Sequence, residues 1–219
     1  MGELVERLLS QSIDVLQSNE PALQAEVSAM DDKVDRLNEA IKLYLTKLMR
    51  GELSDEESQR AVDTIMFTTN LEHVGDIVDN NLMDLAEKKR AIQVHFSGQG
   101  MAELRTMHAR ILDTMHLSFN VFVNQQADSA RQLIARKTAL RSLELEGTES
   151  HLDRLTSGRP ESVATSSIHL DVMRDFKRIN SHLTSVAYPV LERAGQLRNT
   201  RLKKVKVAKP SGSAEPAAR

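Results

Sequence analysis

Apolar residues recur every three to four positions along most of this chain, and that spacing selects helices over strands. Val5, Leu8, Leu9, Ile13 and Leu16 define one face over residues 3 to 17. Met30, Val34, Leu37, Ile41, Tyr44 and Leu48 form a second core stripe on a helix ending near Arg50. Phe67, Leu71, Val74, Val78, Leu82 and Leu85 form a third, on a helix reaching about Lys89. The breakers fall between these stripes. Ser18-Asn-Glu-Pro21 is a stop and restart, with proline in the first helical turn. Gly51 closes the second helix, and Ser54-Asp-Glu-Glu57 has the form of a capping box opening the third. Lys88, Lys89 and Arg90 suit the negative end of that helix. Ser97-Gly-Gln-Gly100 reads as a hinge, followed by helices over 101–124, 129–156 and 160–194. Pro189 is expected to kink the last of these. At ~1.5 Å per residue the four long helices each run roughly 40 to 50 Å.

Short connections make consecutive helices antiparallel neighbours, so the expected fold is all-α, two tandem three-helix bundles. Residues 1–95 form the first bundle and 96–197 the second; 198–219 is a basic tail without periodicity, expected to be disordered. Composition agrees. Hydrophobic residues make up 40% and charged residues 27%, enough to bury a core, while aromatics are only 3%. The absence of cysteine removes disulfides, thiolate metal sites and cysteine nucleophiles. A net charge of −2 argues against a polyanion binder, and no apolar run approaches the ~18 residues of a membrane span.

The halves repeat each other. YLTKLMRGE at 44–52 resembles HLDRLTSGR at 151–159, and Leu71–Asp76 aligns with Phe176–Ser181. Each half follows one plan: short helix, long helix, glycine turn, long helix.

Acidic residues gather on the first hairpin. Asp31 and Asp35 are four apart on the second helix; Glu72, Asp76 and Asp79 are three or four apart on the third. Folding about Gly51 brings the two groups to similar heights, with Asn38 nearby. Such a set is either a solvated face or a seat for a hard or borderline cation. His73 adjoins Glu72 but projects about 100° away around an ideal helix. In the repeat, the four acids correspond to Thr138, Ser142, Lys177 and Ser181, so an acidic site would exist once. The sixth helix carries a mixed stripe of Asp171, Asp175, Arg178 and His182, with His151 as a candidate neighbour. It reads either as an Asp175–Arg178 intrahelical ion pair or as a patch for an anion or a partner protein.

Two stretches resemble a known family. Leu71-Glu-His-Val-Gly-Asp-Ile77 is similar to the Glu-Arg-Ile-Gly-Asp type motif of PhoU proteins, and Asp31-Asp-Lys-Val-Asp35 to their acidic motif on the second helix. IHLDVMRDFKRINSHLTSVAYPVLE at 168–192 resembles the soluble C-terminal domain of bacterial sodium/phosphate cotransporters. The resemblance implies a regulatory role in phosphate uptake without catalysis, in the cytoplasm at the inner face of the plasma membrane. It implies as partner a phosphate transporter membrane domain or a phosphate-signalling protein. It also implies metal ligands at Asp31, Asp35, Glu72 and Asp76, for iron, manganese, zinc or magnesium. The second-half counterparts lack acids, which sets a second cluster aside.

Other classes find little purchase. No nucleophile sits beside a base, and there is no glycine-rich phosphate loop or histidine-rich metal triad. The basic run at 198–209 has no interleaved aromatics, which argues against nucleic acid. It suits peripheral contact with anionic lipid, at ~1 kcal/mol per basic residue. Long amphipathic helices are also compatible with a homo-oligomer.

Overall fold

The computed structural model describes residues 1–18 and 20–197; the basic tail lies outside the described residues. The first half contains α1 (Gly2–Ser18), α2 (Pro21–Leu48) and α3 (Asp55–Asp76). The rod of α3 continues through a π-helical segment, Ile77–Met83, into α4 (Asp84–Ala91). The second half contains α5 (Gly98–Asn124), α6 (Ala127–Thr156), α7 (Pro160–Ala164), α8 (Ser166–Thr184) and α9 (Ala187–Arg193). In each half a long hairpin packs against a third helix: α1 against α2 and α3, α5 against α6 and α8.

Local chemistry accounts for the ends. Pro21 and Pro160 occupy the first turns of α2 and α7, where a missing N–H is not needed. Ser54 and Glu57 form a reciprocal capping box, with Ser54 N–H donating to Glu57 Oε2 at 2.9 Å. Ser97 caps α5 by accepting from Gly100 N–H at 3.1 Å, so Ser97–Gly100 is a helix start rather than a hinge. Gly158 and Gly195 both have φ +67°, the left-handed conformation that lets a chain leave a helix.

The last long helix of the sequence reading is three helices. It breaks at Thr165 and again at Ser185–Val186. Pro189 explains the second break: it has no N–H for the Ser185 carbonyl, and its ring crowds that oxygen. Tyr188 N–H bonds Ser185 O instead, at 3.2 Å.

One apolar core runs through both halves, joining Val5, Leu8, Phe67 and Val74 to Leu104, Ile111, Phe176 and Ile179. A smaller cluster around Val121, Leu133 and Val190 closes the far end of the second half. The α2 stripe is only partly in this core. Val27, Met30 and Val34 are buried, but Leu37, Tyr44 and Leu48 are exposed, Tyr44 by 65%. The reason is length. α1 has 17 residues and α2 has 28, so α1 runs out near Asn38, the last buried residue of α2. The end of α2 therefore lies exposed along α3, which itself stays tied to the second half through Arg60 Nη1 to Phe122 O at 2.7 Å and Arg193 to Asp63 at 2.8 Å. Lys89, expected to serve the end of its helix, is buried with its ammonium 5.5 Å from the centre of the Phe96 ring.

Candidate metal centre

The first-half acids converge. Asp31 and Asp35 lie on one face of α2, and Asp76 ends α3 opposite them. One carboxylate oxygen from each comes within 4.8 Å of the others. The helices approach this closely because residue 75 is glycine: a Cβ there would overlap Asp31 Oδ1. Asp79, on the π segment, accepts from Ser28 Oγ of α2, which ties the two rods together beside the cluster. Asn80 reaches back to Asp76 Oδ1 at 3.4 Å.

Asp31 decides the electrostatics. It is 5% exposed, and its Oδ1 is buried without a hydrogen-bond partner. Burial, then the charges of Asp35, Asp79, Asp76 and Asp32, push its pKa up to about 7. Burial, then the charges of Asp76, Asp32 and Asp79, also raise Asp35. A buried polar atom left unpaired costs about 1–3 kcal/mol. A cation at the cluster would satisfy the Asp31 oxygen and remove the repulsion together. The donors are carboxylates, which fit a hard or borderline ion.

Glu72 belongs to an adjoining group. Its Oε2 lies 3.1 Å from His73 Nδ1, and His73 Nδ1 is 3.9 Å from Asp76 Oδ2. Ligand atoms of Glu72, His73 and Asp76 fall within 4.8 Å of one another. His73 thus joins the acids, against the expectation from ideal helical angles. The imidazole is long enough to swing back over the neighbouring carboxylate, which a wheel of Cα positions does not register.

The mixed stripe on α8 does not gather as a single patch. Asp175 is buried and pairs with Arg178 at 2.8 Å while accepting from Asn81 Nδ2 at 3.1 Å. Asp171 pairs with Arg174 at 3.0 Å. His182 reaches into the first half: its Nδ1 is 3.0 Å from Asn70 Oδ1, and its ring centre is 5.1 Å from that of His73. Burial, then His73 and Arg178, lower its pKa. His151 is elsewhere, stacked on His169 at 4.8 Å and bonded to Ser166 Oγ at 2.9 Å.

That second histidine belongs to a buried network that the sequence reading missed. Arg154, 3% exposed, makes two parallel bonds to Glu103, at 2.6 and 2.7 Å. Ser150 Oγ donates to the same carboxylate at 2.8 Å, and His169 Nε2 lies 3.3 Å away. Burial pushes the Glu103 pKa up, but the hydrogen bonds from Arg154 and Ser150 prevail and it is lowered. Burial, then His151, drive the His169 pKa down to about 4. One signal was present: His151 and Arg154 continue the inward face of Leu140 and Gly147 at helical spacing.

Comparison with known proteins identifies the fold. The PhoU domain profile matches residues 1–84 and 104–190, one repeat in each half. The chain belongs to the PhoU family. Its PhoU fold also superposes on PhoU from Pseudomonas aeruginosa with a TM-score of 0.78, at 16% identity, covering 90% of this chain and 93% of that one. A PhoU-like protein from Shewanella oneidensis gives a TM-score of 0.64 at 12% identity, covering 88% and 95%. In sequence, the chain is 34% identical over 192 residues to YjbB of Escherichia coli K12, a protein whose name assigns it to inorganic phosphate export. The YjbB protein of Salmonella typhimurium is 34% identical over 196 residues. These matches take in 88% and 90% of this PhoU chain but only 35% and 36% of the relatives, so it spans about a third of their length.

Proposed function

We propose that this PhoU domain is a non-catalytic regulator of phosphate transport, acting by contact with a transporter and carrying a metal on its acidic face. The observation behind the metal is Asp31, a buried carboxylate with an unpartnered oxygen at the meeting point of two helices. Asp31, Asp35 and Asp76 would hold the ion, with Glu72 beside them. The ion's contribution is positive charge: it makes the α2–α3 contact favourable where the bare acids repel. Metal occupancy would then set the geometry of the hairpin, and through it the surface offered to a partner.

The transporter reading draws on the relatives. They are named for phosphate movement, and about two thirds of their length lies outside the match. Their name points to export rather than uptake, so the proposal is for phosphate transport without a fixed direction. No helix among the described residues is long and apolar enough to cross a membrane. The domain would therefore work beside a membrane component, as the cytoplasmic module of a cotransporter-like protein. The exposed apolar end of α2 favours a second reading, a helical contact module without metal that serves phosphate signalling.

Metal content separates them. The protein, purified without chelator or affinity metal, is analysed by elemental mass spectrometry beside an Asp35→Ala/Asp76→Ala variant. Stoichiometric iron, manganese, zinc or magnesium in the parent and its loss in the variant is the expected result. Negligible metal in both, after reconstitution, would leave the contact module standing.

A further inference from the structure

Beside the linker from α4 to α5, where the two halves join, lies a cationic cavity of about 390 Å³. Lys89, His95, Phe96, Gly98, Arg105 and Gln17 of α1 border it, and no carboxylate does among the described residues. We propose that this cavity binds a small phosphoryl oxyanion, held by Lys89, Arg105 and the free N–H groups that open α5. The site stands apart from the acidic face; only the choice of a phosphoryl group rests on the transport reading.

Lys89 is the first observation. It is 1% exposed, yet its ammonium has no hydrogen bond and no ion pair among the described residues. The Phe96 ring, with its centre 5.5 Å away, attracts the charge but offers no oxygen to the N–H groups. Burial lowers the Lys89 pKa. An ammonium held out of water without an acid is unfavourable, and an anion in the cavity would compensate it.

The start of α5 is the second. This helix of 27 residues begins at Gly98, in the cavity wall. Ser97 Oγ takes the Gly100 N–H, which leaves the N–H groups of Gly98 and Gln99 without an acceptor among the described residues. They form the positive end of the helix. A Cβ at Gly98 would meet nothing within 4 Å, so the backbone there faces open space. Arg105 follows two turns later on the same face. Its Nε donates to Gln17 Oε1 at 3.1 Å, which holds the guanidinium at the cavity, and it pairs with no acid among the described residues.

One cavity thus receives a lysine from α4, and an arginine and a helix start from α5. Donors from several directions suit a tetrahedral group with several oxygens better than a planar carboxylate. An occupied cavity would link α4 to α5, so the ligand would brace one half of the molecule against the other.

The test uses the full chain in buffer free of phosphate and sulfate. Inorganic phosphate is titrated by calorimetry into the parent, Lys89→Met and Arg105→Gln. Vesicles of phosphatidylglycerol, with phosphatidylcholine as the neutral control, present the same group on a lipid. Methionine keeps the apolar stem of Lys89, and Arg105 is exposed, so both variants should fold; circular dichroism checks them. The expected result is phosphate binding to the parent, weakened about tenfold or more in each variant. Phosphatidylglycerol binding that both variants lose, without phosphate binding, would keep the site and assign its ligand to a lipid headgroup. Binding of neither probe, or binding that neither variant changes, would overturn the inference. The metal measurement does not depend on any of these results, so the regulatory reading stands or falls separately.

Discussion

The two halves share one plan and treat buried acid in opposite ways. Among the described residues, the second half supplies cations to enclosed acids: Glu103 has Arg154, Asp175 has Arg178, Glu144 has Lys177 at 2.6 Å, and Asp63 of the first half takes Arg193 at 2.8 Å. In the first half Asp31 is as buried as these, but the charges around it are Asp35, Asp76, Asp79 and Asp32. Lys177 marks the change directly, since it stands where the repeat places Glu72. A duplicated hairpin thus became a self-neutralised scaffold on one side and an uncompensated acidic face on the other. The difference shows most plainly in side-chain charge.

The comparison can be broken most forcefully at Arg154. Arg154→Met leaves Glu103 buried without its partner and should cost about 3–5 kcal/mol, read by chemical denaturation. A cost near zero would mean that the second half does not depend on its internal pairing. Gly75→Ala comes next. Its methyl group collides with Asp31, and the better helix propensity of alanine, about 1 kcal/mol, offsets only part of the strain. A net loss of about 2 kcal/mol is expected, together with loss of bound metal. The third test is a pH dependence. His169 has its pKa lowered to about 4 in the folded chain, against 6.5 when unfolded. Between these values the unfolded chain binds the extra proton, so stability is full above pH 6.5 and is lost as pH falls toward 4. That loss should disappear in His169→Gln, measured by thermal melts across the range.

Much of this was legible in the residues. The helices and their ends follow from period and capping, because Pro21, Ser54, Gly158 and Gly195 are local signals that tertiary contacts did not override. The convergence of Asp31, Asp35 and Asp76 follows from spacing plus one fold about Gly51. What escaped depended on length and reach. The exposure of Tyr44 turns on α1 being eleven residues shorter than α2 (28 less 17), which a stripe read helix by helix does not reveal. The place of His73 turns on a flexible ring. The Glu103–Arg154 pair turns on two charged side chains facing inward, a pattern that resembles a wet face until its partners are known. The π segment has no signal in composition at all.

That segment carries a consequence for insertions and deletions. A π turn is an α-helix holding one residue more than its pitch accommodates. Removing any single residue between Ile77 and Met83 would restore a regular helix and leave the helix beyond it in phase, because the wider turn had absorbed the extra residue. Ala86 and Lys89, both buried, would keep facing the positions they now fill. Along this stretch the chain can lose one residue without turning its core face, which an ordinary α-helical stretch cannot do.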